Sequence, residues 1–143
     1  MIADALRRDQ RRLRWCLGAD PGGGLHQAIV SADQVFTSRL TLIEAERVIV
    51  RQVRAGDLTV VQAQEAREVL AAAFPNWAIV DVIVSVCERA AEAFPVEPVR
   101  ALDAIHLATA LLVADLAGGV AVLSTDRRIR ENADRLGLAC LGA

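Results

Sequence analysis

The chain contains no lysine and no tyrosine, and only three phenylalanines and two tryptophans among its 143 residues. So few rings exclude base stacking as its main means of holding single strands. All 16 cationic side chains are arginine, a bias that reflects genome composition more than chemistry. They face 18 acidic residues, for a formal net charge of −2. That balance excludes wholesale electrostatic wrapping of nucleic acid, although a local basic rim around a cleft stays open. The three cysteines, Cys16, Cys87 and Cys140, form no CxxC and no Cys/His pair. This excludes a zinc site and a disulfide framework and leaves reduced thiols as the expectation. No apolar run approaches the roughly 20 residues of a membrane-spanning helix, and Met1 to Arg8 hold no apolar stretch of signal-peptide length. A cytoplasmic protein without membrane contact is therefore expected.

What is present suits a folded α/β chain. Hydrophobic residues make up 54% and charged residues 24%, which excludes global disorder. The length suits one domain spanning 1–143, without repeats or linkers. Val120-Ala121-Val122-Leu123-Ser124 is a short apolar run of buried-strand type. Arg127 to Leu136 is an amphipathic helix closed by Gly137, and Leu138 to Leu141 a final edge strand. Ala101 to Asp115 reads as a strongly apolar helix. Trp77 to Val82 reads as a strand, and the residues after it as a helix that runs to Phe94 and stops at Pro95. Leu40 to Ala55 and Thr59 to Ala73 read as consecutive helices around a Gly56-Asp57 turn, with Thr59 as N-cap. Gln34 to Ser38 is a strand feeding the first of these, Leu25 to Ala32 a short helix, and Gly22-Gly23-Gly24 a loop without phosphate-loop context. Strands alternating with helices imply a mostly parallel sheet covered on both faces.

In an open parallel sheet, ligands gather beyond the carboxyl ends of the strands. Three acids belong there: Glu44 near the start of the helix after Gln34–Ser38, Asp103 in the first turn of the apolar helix, and Asp126 directly after Val120–Ser124. Each alone has a plainer explanation, as a helix cap or as a charge suited to the positive end of a helix dipole. Together they would repel unless a cation joined them. Mg²⁺ or Mn²⁺ is the natural partner, being a hard ion that takes carboxylate oxygens and keeps several waters.

Three stretches then carry a resemblance: Thr37-Ser38-Arg39-Leu40-Thr41-Leu42-Ile43-Glu44, Arg100-Ala101-Leu102-Asp103-Ala104-Ile105-His106-Leu107-Ala108-Thr109-Ala110, and Val122-Leu123-Ser124-Thr125-Asp126-Arg127-Arg128. In order and spacing they resemble the PIN-domain family, and most of all the VapC-like toxins of bacterial toxin–antitoxin pairs. The resemblance implies a three-layer α/β/α fold and Mg²⁺-dependent (or Mn²⁺-dependent) endoribonuclease activity, with Glu44, Asp103 and Asp126 as catalytic metal-site acids. Ser124 or Thr125 would hydrogen-bond within the site. Partners implied are an RNA substrate, a cognate antitoxin protein and a second copy of the chain. Members of this family begin with an apolar central strand ending in Asp, and this chain has no such strand. Its residues 3–16 carry five arginines and suit an exposed helix, so the first strand is expected to be missing or replaced by a helix, with 1–20 an atypical segment. Asp9 is the nearest fourth metal ligand by spacing, with Asp4 and Asp20 poorer choices.

Arginine forks bind phosphate well. Arg39, Arg100, Arg127 and Arg128 are accordingly candidates for the RNA backbone, against solvated helix charges as the alternative. Arg7, Arg8, Arg11, Arg12 and Arg14 form a second basic group. His106, three positions after Asp103, shares its helical face and is expected in a packed, hydrogen-bonded role; His26 is assigned nothing, and Trp15 and Trp77 are expected to pack. Two functional readings follow: a metal-dependent endoribonuclease toxin, or a catalytically degenerate scaffold of the same fold that acts as a protein-binding module.

Overall fold

The computed structural model describes residues 31–124 and 126–141. Strand β1 (Phe36–Ser38) runs straight into helix α1 (Arg39–Ala55). Ser38 makes the switch, since its backbone is still extended while its Oγ accepts from the N–H of Leu40 at 3.3 Å. Helix α1 ends at Gly56, whose φ of 79° lets its N–H turn back to the last carbonyls. Helix α2 (Val60–Ala73) starts from a reciprocal cap, in which Thr59 Oγ1 accepts from the Gln62 N–H and Gln62 Oε1 accepts from the Thr59 N–H. A single 3₁₀ turn, Phe74–Asn76, leads to β2 (Ala78–Val80), which pairs in parallel with β1 in the register Phe36–Ala78, Thr37–Ile79 and Ser38–Val80.

Helix α3 (Val84–Ala91) ends three residues before Phe94, shorter than the sequence suggests. Pro95 forces Phe94 away from helical geometry, and the Phe94 N–H goes instead to Glu97 Oε1 at 2.9 Å. Residues 92–100 thus form a loop, which leads into the long apolar helix α4 (Ala101–Ala117). Strand β3 (Ala121–Leu123), helix α5 (Arg127–Arg135) and strand β4 (Ala139–Leu141) complete the described chain, with β4 parallel to β3.

The class is the expected one, an α/β chain whose strand pairs are all parallel. Among the described residues the four short strands form two pairs, β1–β2 and β3–β4. A cavity of about 470 Å³ lies between them, bordered by Val35 and Phe36 on one side, Ala121 and Leu123 on the other, and Ala110 and Val113 of α4. The core follows the same division. Ala45, Val48, Ile49, Ala63, Ala66 and Leu70 bury a cluster in the α1–α2 hairpin. Leu107, Val122, Ile129, Ala133 and their neighbours bury another around α4, β3 and α5. Trp77 and Leu123 meet between the two. The N-terminal expectations (the helix over 3–16, the glycine loop, residues 25–30 of the helix expected over Leu25–Ala32, and Asp4, Asp9, Asp20, Trp15, Cys16 and His26) lie outside the described residues, as does Thr125. Among the described residues no helix is long and apolar enough to cross a membrane.

Candidate functional site

The carboxyl ends of β1 and β3 both point at buried polar side chains. Thr37, Ser38, Thr41 and Ser124 are all fully buried. Buried hydroxyls must find partners, and Thr37 Oγ1 and Thr41 Oγ1 meet at 2.7 Å. Ser124 Oγ accepts from the Asp126 N–H at 3.0 Å and so orders the turn that presents Asp126.

Asp126 is the N-cap of α5: its Oδ1 accepts from the Arg128 N–H at 2.8 Å and from the Ile129 N–H at 3.4 Å. The cap and the candidate ligand are thus one residue. Asp103 lies in the first turn of α4, as expected. The two aspartates are 5% and 7% exposed, and both line one cavity of about 340 Å³. Pro98, Val99, Arg100, Arg127 and Arg128 form the rest of its wall. Two acids and three arginines around one small polar cavity suit a cation and a phosphate together, the acids for the first and the guanidinium forks for the second.

Glu44 is buried as well, on the second turn of α1. It is not part of that wall. Its Oε2 accepts from His106 Nε2 at 2.8 Å, across a contact where the side chains are 10% and 2% exposed. His106 lies one turn beyond Asp103 on α4, so the bond links Glu44 to the helix that presents Asp103. Among the described residues no group of three or more His, Cys, Asp or Glu side chains is gathered closely enough to hold a metal ion. The chemistry of the donor set nonetheless fits a hard cation. Mg²⁺ is commonly held by one or two carboxylates together with waters and substrate phosphate, without a closed cage of protein ligands.

Of the four arginines, Arg100, Arg127 and Arg128 reach the cavity, while Arg39 is paired with Asp81. That exposed pair holds the Asp81 carboxyl below its usual range. Arg128 also donates through Nη1 to the Pro98 carbonyl at 2.8 Å, fixing one side of the cavity mouth.

Sequence reasoning overlooked what else orders the loop that carries Pro98 and Val99. Asn132, fully buried on α5, accepts from the Val96 N–H and donates to the Val96 carbonyl, each at 2.9 Å. Glu97 accepts from the N–H groups of Phe94 and Val99 at 2.9 and 2.5 Å, which keeps its carboxyl below the usual range. The available signal was the Pro95–Pro98 spacing, which marks an ordered loop but names no partner for it.

Comparison with curated proteins gives no match. The PIN domain family matches residues 15–135, a span that takes in every described strand but β4 together with all three buried acids. This chain therefore belongs to the PIN domain family, whose members are in general nucleases that use divalent metal ions.

Proposed function

We propose that the chain is a Mg²⁺- or Mn²⁺-dependent endoribonuclease, the toxin component of a type II toxin–antitoxin pair of the VapC-like kind. The observation that carries this is the cavity shared by Asp103 and Asp126 beneath Arg100, Arg127 and Arg128. Asp103 and Asp126 would hold the ion, with Glu44 contributing from α1. When bound, the ion supplies an activated water and a counter-charge for the phosphodiester. The protein's own residues do the remainder. Arg100 and Arg127 bind and orient phosphate oxygens, while Arg128 bonds the Pro98 carbonyl and keeps the loop wall in place.

The site is to act in the cytoplasm, be neutralised by a cognate antitoxin, and sit in a homodimer. Exposed Val60, Val61 and Val69 on α2, with Ile43 on α1, support an apolar contact of that kind.

The test is cleavage of a mixed structured RNA by the folded protein, with Mg²⁺ or Mn²⁺ against EDTA, and Asp103→Asn as the control. Cleavage should require the metal and fall by at least about 100-fold in the variant, the scale seen when a group that steadies developing charge is removed. Equal cleavage by the variant would refute the role of Asp103.

A second reading has its own support. Asp126 already serves a cap, Glu44 is bonded to His106, and no three-residue metal cluster is gathered among the described residues. These favour a scaffold that kept its fold as a protein-binding module without catalysis. That reading expects no metal-dependent rise in melting temperature, whereas the nuclease reading expects a rise that grows with ion concentration.

A further inference from the structure

A loop outside helix and sheet must find other partners for its backbone groups, and the loop over 92–100 draws part of them from α5. Asn132 gives a whole amide to one loop residue. Its Oδ1 accepts from the Val96 N–H and its Nδ2 donates to the Val96 carbonyl, each at 2.9 Å. Nδ2 also donates to the Arg128 carbonyl at 3.0 Å, which fixes the amide on its own helix. A primary amide sets a donor beside an acceptor, so it pairs both backbone groups of Val96 much as an opposed strand residue would. The other buried residues of α5, Ile129 and Ala133, are apolar. An amide among them is costly unless it is bonded, so packing alone gives no reason for asparagine at 132.

The grip matters because of what the loop carries. Pro98, Val99 and Arg100 line the same cavity as Asp103 and Asp126. Arg128, four residues before Asn132, bonds the Pro98 carbonyl at 2.8 Å, so α5 holds the loop at both 96 and 98. Arg100 is also the N-cap of α4, and among the described residues its side chain makes no capping bond. Helix α5, by contrast, is fixed at its start by the Asp126 carboxylate. Where the chain enters α4 is therefore set by the loop before it, and the loop is set by α5.

We propose that Asn132 is a positioning residue: by holding Val96 to α5 it keeps Arg100 at the cavity with Arg127 and Arg128, and thereby sets how strongly the site binds the RNA backbone. This rests on the nuclease reading above. Arg127 and Arg128 belong to α5 itself and keep their place without the clamp, so its loss falls on the contact made by Arg100.

The experiment measures binding of a short labelled single-stranded RNA to the full chain in EDTA over a range of salt concentrations, and KM and kcat for its cleavage with Mn²⁺. Wild type is compared with Asn132→Leu, which is uncharged and of similar size, with Arg100→Ala, and with the double variant. Each phosphate contact on a single strand contributes about 0.7 to the slope of log affinity against log salt. Arg100→Ala should lower the slope by about that amount. Asn132→Leu should lower it in the same direction and raise KM by about 10-fold, the usual worth of a hydrogen bond to a charged group, with kcat little changed. A merely structural loss would lower the urea midpoint and leave the salt slope as it was. In the Arg100→Ala background Asn132→Leu should add little, because the two act through one contact. A folded Asn132→Leu protein with the wild-type slope and KM overturns the proposal, and so do strictly additive shifts in the double variant. If Asn132→Leu fails to fold, Asn132→Ala, which leaves room for a water at the freed groups, is held to the same outcomes. Wild-type protein that neither binds nor cuts RNA defeats the nuclease reading and this inference with it; binding that depends on Arg100 but not on Asn132 defeats the inference alone.

Discussion

Asp126 joins local structure to chemistry, since the oxygen that caps α5 belongs to the side chain facing the cavity. Its position directly after a short apolar run was legible in the sequence, as was that of Asp103 at a helix start, because strand–turn–helix patterns are local. The pairing of Glu44 with His106 was not. Helical spacing places His106 on the face of Asp103, but no periodicity names a partner 62 positions away. Arg39 likewise has a partner that sequence spacing does not name, Asp81, brought beside it by the pairing of β1 with β2. Glu97 yields a residue-scale prediction. Its carboxyl is held below the usual range first by the Phe94 N–H and then by the Val99 N–H. A folded value below the unfolded one means that the unfolded chain takes up the proton first as the medium is acidified. The stabilisation from Glu97 should be complete above the ordinary carboxylate range and decline as pH falls through it to the lowered folded value. Urea denaturation at pH 7 and pH 3 should therefore find wild type ahead of Glu97→Gln at pH 7 and the gap narrowed at pH 3.

The elements reproduced their sequence signals wherever caps were explicit. Thr59 begins one helix and Gly56 ends another where their chemistry requires it, whereas the apolar helix read as ending at Asp115 runs on to Ala117. Boundaries slipped where a loop side chain competed for backbone groups, as at α3, which stops at Ala91 because the chain beyond it is organised by Glu97 and Asn132. The strands are three residues each, shorter than their apolar runs, because parallel pairing needs a neighbour as well as a suitable composition. At this scale the capping box of α2 is the feature to test. Thr59→Ala removes the Oγ1 acceptor from the Gln62 N–H. It should lower unfolding free energy by about 1 kcal/mol, read as a shift in urea midpoint without a change in slope, and leave metal response untouched because α2 contributes nothing to the acid cavity.

At the scale of the whole chain, the described residues form two parallel half-sheets, each with its own core, and Trp77 is where the cores touch. Its ring meets Phe74 edge-on at 5.2 Å, and it packs with Leu123 of the other half-sheet. Trp77→Ala should cost about 3–5 kcal/mol, the usual loss for truncating a buried aromatic. Hydrogen exchange should then show α1 and α2 losing protection together with β3; loss confined to α1 and α2 would show that Trp77 serves one half alone. Half of the buried residues in the hairpin are alanines: Ala45, Ala63 and Ala66 are 2%, 1% and 0% exposed. A methyl side chain has no rotamers to freeze, so this contact forms at little entropic cost, but it also has no torsion with which to make room for a larger neighbour. Mutational drift across the hairpin is accordingly one-sided: positions 45, 63 and 66 are closed to growth in volume, while the exposed valines at 60 and 61 are free to change, and any partner that has to be kept or lost over evolutionary time would be gained or shed there.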